Sequence, residues 1–249
     1  MKSLSPTTSI ERWQSDALEV HLLGLVDFDA ALFLQKRLQY EISGRNDLQG
    51  CLLVCEHPPL MTIGREGTEA DILVEKELLD VCEVDVRRIN RGGGAVIHAP
   101  GQLAVYPVLP LDRLGIGLAE YRHLLRNSIT AMCNELQIPV FFDCDEAGML
   151  CRCGEFAQIG VAVKSWTTYH GFFINVACDL ELQQFVQPNS SAKKMTSLSA
   201  QLAKPVSMSQ VRESIIRNLA HQLKYDNYHL YTSHPLLKRT KKKIVSSLT

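Results

Sequence analysis

The sequence predicts an α+β fold, on three observations. Four extended stretches follow one another between residues 140 and 176 without alternating with helices. Helical periodicity is concentrated in segments that flank this block, at 27–42, 120–136 and 209–223. No internal repeat or low-complexity linker divides the chain. Grouped strands with helices packed beside them give α+β, not an alternating α/β sheet.

The elements follow in order. Asp27 is placed to cap a helix over 27–42, with Ala31, Leu34 and Leu38 at helical spacing. The apolar run 51–55 reads as a buried strand, stopped by His57-Pro58-Pro59, and 61–64 as a short extended piece. A short helix is expected at 71–81, a strand at 84–89, a loop at Gly92-Gly93-Gly94 and a strand at 102–109. The clearest amphipathic helix is 120–136, with Leu124, Leu125, Ile129, Met132, Cys133 and Leu136 on one stripe. Strands are expected at 140–142, 148–151, 156–164 and 168–176, and a last helix at 209–223 with Ser209 as its cap.

Composition excludes several classes. The 249 residues are 46% hydrophobic and carry 26 Lys and Arg against 27 Asp and Glu, a formal net charge of −1. That is too apolar for a disordered chain, and it lacks the positive excess that attracts nucleic acid. No apolar run reaches membrane-spanning length, and residues 1–13 lack the apolar core of a secretory signal. The eight Cys have irregular spacing with no C-x-x-C pair, as expected of reduced thiols in the cytoplasm. Cys144, Cys151 and Cys153 have no second close pair to complete a zinc site with His98 or His170, so neither a metal nor a cofactor is expected. Cys51, Cys55 and Cys133 read as core packing.

The most informative stretch is Arg91-Gly92-Gly93-Gly94-Ala95-Val96-Ile97-His98, followed by Pro100-Gly101-Gln102. Three successive glycines remove every side chain from a loop, so a ligand can approach its N–H groups. Arg91 can pair with an anion or hold the loop's own carbonyls. A tight turn with no ligand is the alternative. His57 before Pro58 reads as shaping a turn. His170 reads either as orienting a substrate carbonyl or as a structural group, and Arg65 is a weak anion signal.

Glu56-His57-Pro58-Pro59, Thr62-Ile63-Gly64-Arg65, the Arg91 to Gln102 stretch, Tyr106-Pro107, Ile159-Gly160-Val161 and His170-Gly171-Phe172-Phe173-Ile174-Asn175-Val176 occur in this order. Together they resemble the lipoyl(octanoyl) transferase family, also called lipoate-protein ligase B, from about residue 22 to 202. ATP-dependent lipoate ligases share the glycine loop, but His98-Ala99-Pro100-Gly101-Gln102 continues as in the transferases. The resemblance implies a biotin/lipoate protein ligase-like fold, with a mixed, mainly antiparallel sheet flanked by helices. It implies an acyltransferase of lipoate biosynthesis that moves octanoyl from acyl carrier protein, through a Cys thioester, to a lysine of a lipoyl domain. By the same resemblance Arg91, Gly92, Gly93, Gly94, Ala95, Val96, Ile97 and His98 line the acyl pocket, completed by Gln158, Ile159, Gly160, Gly171, Phe172 and Phe173. The partners implied are octanoyl-acyl carrier protein and lipoyl-domain proteins.

Two positions depart from that pattern. The family Lys lies five residues before the Gly of Ile-Gly-Val, and here that residue is Glu155. The family Cys follows a Pro upstream of Thr-Ser-Leu; here Asn189 follows Pro188, and no Cys lies between 183 and 202. Val96 and Ile97 also replace a Thr and an aromatic. Three readings follow: acyl transfer by a relocated nucleophile, with Cys151, Cys153 and Cys178 as candidates; a non-catalytic pseudoenzyme that binds acyl groups or lipoyl domains; and a ligase-like enzyme with another acyl donor. The expected organisation is an N-terminal extension at 1–20, the transferase-like domain at 21–224, and a C-terminal basic tail at 225–249. The run Lys238-Arg239-Thr240-Lys241-Lys242-Lys243 in that tail is either a solvated end or an attractor for an acidic carrier protein.

Overall fold

A computed structural model describes residues 17–142, 148–187, 194–202 and 206–237. The calls on Cys144, Asn189 and the basic run 238–243 lie outside them.

In chain order the strands are β1 (Leu18–Leu25), β2 (Cys51–Glu56), β3 (Leu60–Ile63), β4 (Asp85–Arg88), β5 (Ala95–His98), β6 (Gln102–Val108), β7 (Gly148–Cys151), β8 (Gly154–Lys164), β9 (Thr167–Asn175) and β10 (Tyr228–Thr232). The helices are α1 (Phe28–Ser43), α2 (Lys76–Val81), α3 (Leu111–Leu114), α4 (Leu118–Glu135), α5 (Leu180–Gln183) and α6 (Met208–Gln222). Seven strands form the main sheet in the order β10-β1-β2-β6-β9-β8-β7, and β4-β3-β5 form a second, smaller one. In the main sheet β1 pairs parallel with β10 and β2, while the other neighbours are antiparallel. The expected mixed, mainly antiparallel sheet flanked by helices is therefore observed.

Pleating sorts the side chains between two faces. Val105, Ile159, Val161, Phe172 and Ile174 face a core closed by Leu125 and Ile129 of α4 and Ile215 and Leu219 of α6. Leu53, Ala104, Tyr106 and Phe173 face α1 through Leu34, Leu38 and Ile42. The small sheet has its own core of Met61, Ile63, Ala95 and Ile97 against Leu79 of α2.

Several expectations change. The helix expected at 71–81 is a 3-10 turn at Glu69–Asp71 and the shorter α2. Between them Leu73 N–H donates to the Phe185 carbonyl and Ile72 bridges Val186, so tertiary pairing overrides helical periodicity. Residues 140–142 contribute only a bridge from Phe141 to Leu150. The last helix is capped by Ser207, which forms a capping box with Gln210, and not by Ser209. Ala95–His98, left without an element between the glycine loop and the strand expected at 102–109, is strand β5. The stretch read as a tail from 225 begins with buried Tyr225 and with β10, which extends the main sheet. At the other end Leu18 and Val20 of β1 are core residues inside the expected extension.

Candidate functional site

The glycine loop is wedged between the turn after β3 and strand β8. A Cβ on Gly64 would lie 2.2 Å from the Gly93 carbonyl oxygen, and one on Gly160 would lie 2.5 Å from the Gly92 oxygen. Glycine is required here because backbones meet backbones. Two of the three glycine N–H groups are already engaged, contrary to the expectation of an open cradle. Gly92 N–H donates to the Val161 carbonyl, and Gly93 N–H to the Glu66 carboxylate at 2.8 Å.

Arg91 takes the second of its two expected roles. Its guanidinium is 1% exposed and donates to the Gly92 and Thr62 carbonyls and to Thr62 Oγ1. Burial lowers its pKa to about 10, so it stays charged at neutral pH.

From Thr62 a chain of buried polar groups runs across both sheets. Gln102 Nε2 donates to the Ile97 carbonyl and to Asn175 Oδ1, which fixes its Oε1 as the acceptor of His98 Nδ1–H at 2.8 Å. His98 Nε2 is then a lone pair, and it accepts from Thr62 Oγ1–H at 2.9 Å. Asn175 Nδ2 continues the chain to Gln183 Oε1 and the Thr196 carbonyl. Desolvation, together with the nearby His57 and Arg91, holds the His98 pKa well below its ordinary value. His98 is therefore a neutral relay that orients neighbours.

His57 behaves as the expected turn-shaping group. Its Nδ1–H donates to the Val26 carbonyl and its Nε2 accepts from Tyr106 O–H at 2.7 Å. Burial lowers its pKa to about 4. His170 has φ 56°, a left-handed conformation inside a strand, and its N–H donates to Gln35 Oε1 of α1. Its ring is 1% exposed, Nδ1 has no hydrogen-bond partner, and burial lowers its pKa to about 3. The left-handed backbone and the unpartnered ring nitrogen leave both expected roles of His170 open, orienting a substrate carbonyl or holding structure.

A cleft of about 490 Å³ opens at the outer side of the loop, lined by Arg65, Glu66, Gly92, Gly93, Leu118, Arg122, Ile159, Val161, Ala162 and Val163. Of the expected pocket residues, Gly92, Gly93 and Ile159 reach it. Gly94, Ala95, Val96, Ile97 and His98 turn inward with β5, and Phe173 packs edge-on against His98 at 4.5 Å. Alternation splits the other triplets. Gln158, Gly160 and Phe173 share the face under the loop, whereas Phe172 lies in the α4–α6 core. Leu118 and Arg122, at the start of α4, were missed. They stand on the outward side of an amphipathic helix, where sequence alone reads only solvent.

At the other end of β8, Glu155 is 1% exposed and accepts from Gln158 Nε2 at 2.8 Å. Its backbone pairs with the chain at 194–196: Glu155 N–H donates to the Lys194 carbonyl and Thr196 N–H to the Glu155 carbonyl. Among the described residues no Cys lines the cleft. Cys151 is buried, donates to the Gly154 carbonyl, and has its pKa raised by desolvation. Burial pushes Cys178 up to about 12, and Cys153 is exposed in the β7–β8 turn.

The architecture is that of solved lipoate-protein ligases. A lipoate-protein ligase A bound with ATP superposes with a TM-score of 0.72 at 14% identity, covering 89% of this chain and 91% of that one. The lipoate protein ligase of an archaeal lipoylation system from Thermoplasma acidophilum, described with its E2 lipoyl domain, gives 0.66 at 16%, covering 90% and 89%. The chain belongs to the lipoyl protein ligase A/B catalytic-domain family, whose model matches residues 27–220, and within it to the lipoyl(octanoyl) transferases. It is 37% identical over 194 residues to an octanoyltransferase of Geotalea uraniireducens, covering 78% of this chain and 87% of the relative. It is 34% identical to one of Bacteroides fragilis, covering 68% and 79%.

Proposed function

We propose that this transferase-family chain recognises an octanoyl or lipoyl acyl group and the lipoyl domain that carries it, without passing through a Cys thioester at the family's position. The observation that carries this reading is Glu155. A buried carboxylate held by Gln158 stands where the family's Lys would keep a thiol ionised. A carboxyl group, in either protonation state, supplies no positive charge to hold a thiol ionised. The pairing of Glu155 with residues 194–196 brings the chain that follows Asn189 alongside it. Burial disfavours ionisation of two of the three substitute thiols, Cys151 and Cys178. The acyl group is recognised in the cleft at the outer side of the glycine loop, between Gly92 and Gly93 and the Ile159, Val161 and Val163 side chains of β8. The described cysteines are all free, which fits a reducing cytosol.

The test is incubation with octanoyl-acyl carrier protein and a lipoyl domain, followed by intact-mass analysis of all three. The expected result is complex formation on a sizing column, no octanoyl adduct on this chain and no octanoylated lipoyl domain. A hydroxylamine-labile adduct, on Cys153 or any other thiol, or transfer to the lipoyl domain, overturns the non-catalytic reading. The absence of any complex overturns the recognition reading.

A further inference from the structure

Away from the glycine loop, β1 and β2 bring together three side chains of different chemistry. Glu19 and His21 are two residues apart on one strand and so share a face, and Glu19 stands opposite Cys51 in the register with β2. One carboxylate oxygen of Glu19, one ring nitrogen of His21 and the sulfur of Cys51 lie within 4.8 Å of one another. His21 is 6% exposed, and its Nδ1–H donates to the Ser233 carbonyl at 2.9 Å. That bond makes Nδ1 the donor and turns Nε2 toward the Glu19 carboxylate. Nε2 has no hydrogen-bond partner, and the nearest Glu19 oxygen is 3.7 Å away, outside hydrogen-bond reach. A buried ring nitrogen turned toward a carboxylate and a thiol without a hydrogen-bond partner calls for an explanation.

We infer that Glu19, His21 and Cys51 form a binding site for a borderline transition-metal ion, Zn²⁺ in particular. The donor set is one imidazole nitrogen, one thiolate and one carboxylate, which suits Zn²⁺ and excludes Mg²⁺ and Ca²⁺. Ligand atoms around a tetrahedral Zn²⁺ stand about 3 to 4 Å apart, so closure needs a movement of about 1 Å, within reach of the half-exposed Glu19. The outer contacts are those of a metal site. His21 donates its other nitrogen to a backbone carbonyl, and Gln49 Nε2 donates to the second Glu19 oxygen at 2.7 Å. Binding converts the Cys51 thiol to a zinc-bound thiolate and releases one proton to solvent. The fourth position is left to water or to a nearby imidazole: His234 lies 4.7 Å from the His21 ring centroid, and His229 stands opposite Glu19 on β10. Ser233 N–H also donates to the Leu22 carbonyl, so an ion on His21 tightens the hold of β1 on the chain after β10.

The experiment titrates chelator-stripped full-length protein with Zn²⁺ by calorimetry and with Co²⁺ by absorption. The proposal expects one ion per chain, a cobalt–thiolate charge-transfer band, and a Zn²⁺-dependent rise in Tm. Glu19→Gln should weaken Zn²⁺ at least tenfold, Cys51→Ser should remove the thiolate band, and Cys153→Ser should change neither. If Cys51→Ser does not fold by circular dichroism, Glu19→Gln decides. Failure of the wild type to bind one ion, affinity unchanged in Glu19→Gln, or loss of the band in Cys153→Ser overturns the site.

Discussion

The two ends of strand β8 have been treated differently by this sequence. At Gly160 the backbone meets the glycine loop with no room for a methyl group, and the Arg91–Thr62–His98–Gln102–Asn175 chain is closed donor to acceptor. At Glu155, five residues earlier, a carboxylate occupies the position where the resemblance leads one to expect a cation. The packing that holds this strand against the loop and the ionisable side chains placed on it are separable. The first depends on backbone proximity and satisfied polar atoms, which tolerate little change. The second depends on one or two ionisable side chains, which can change without unfolding the protein.

The comparison can be broken most forcefully at Gly160. Gly160→Ala should destabilise the fold by more than about 2 kcal/mol, because the new methyl meets the fixed Gly92 carbonyl. Chemical denaturation measures this, and a loss below about 0.5 kcal/mol would mean that the loop is not wedged as described. A smaller effect is expected from pH. His57, at about 4, is depressed relative to an unfolded imidazole, so the unfolded chain binds more protons between about pH 6.5 and 4. Stability is therefore fully present above pH 6.5 and falls as the pH drops through that window, by up to roughly 3 kcal/mol for this group. His57→Gln should flatten the dependence of Tm on pH between 6.5 and 5, and an unchanged slope removes His57 as its source. The smallest effect belongs to the β7–β8 turn. Cys153→Ser should alter stability by less than about 0.5 kcal/mol, since the side chain is exposed. Mass-resolved alkylation should find Cys153 modified before Cys51, Cys55, Cys133 and Cys178, and the reverse order would contradict their burial.

Long periodic or strongly apolar elements were legible in the sequence. Asp27 caps α1 as expected, and β2, β6, β8, β9 and α4 fall within two residues of their predicted bounds. Short or non-local elements were not. β1 alternates polar and apolar residues over only part of its length, and β10 is an exposed strand whose partner among the described residues lies some two hundred residues earlier. β5 was hidden because its four residues follow three glycines without a break. Missing β1 also concealed the Glu19–His21 pair, since the shared face exists only once the segment is extended. Of the cleft's lining, Gly92, Gly93 and Ile159 are among the residues the sequence places at a pocket. The bonds that occupy the Gly92 and Gly93 N–H groups, and the part played by Leu118 and Arg122, depend on packing between distant segments that no local pattern encodes.

The bond from Gly92 N–H to the Val161 carbonyl has a consequence for solubility. Among the described residues β7 pairs with β8 as far as Gln158, and no described strand lies beside the next residues of β8. Bare margins of this kind recruit strands from other molecules. The glycine loop acts as a bumper there, occupying a carbonyl that a neighbouring copy would otherwise use. Anything that prises the loop away, including a bulky ligand entering beneath it, also uncovers a sticky strand. Self-association at high concentration is thereby tied to the same few residues that line the cleft.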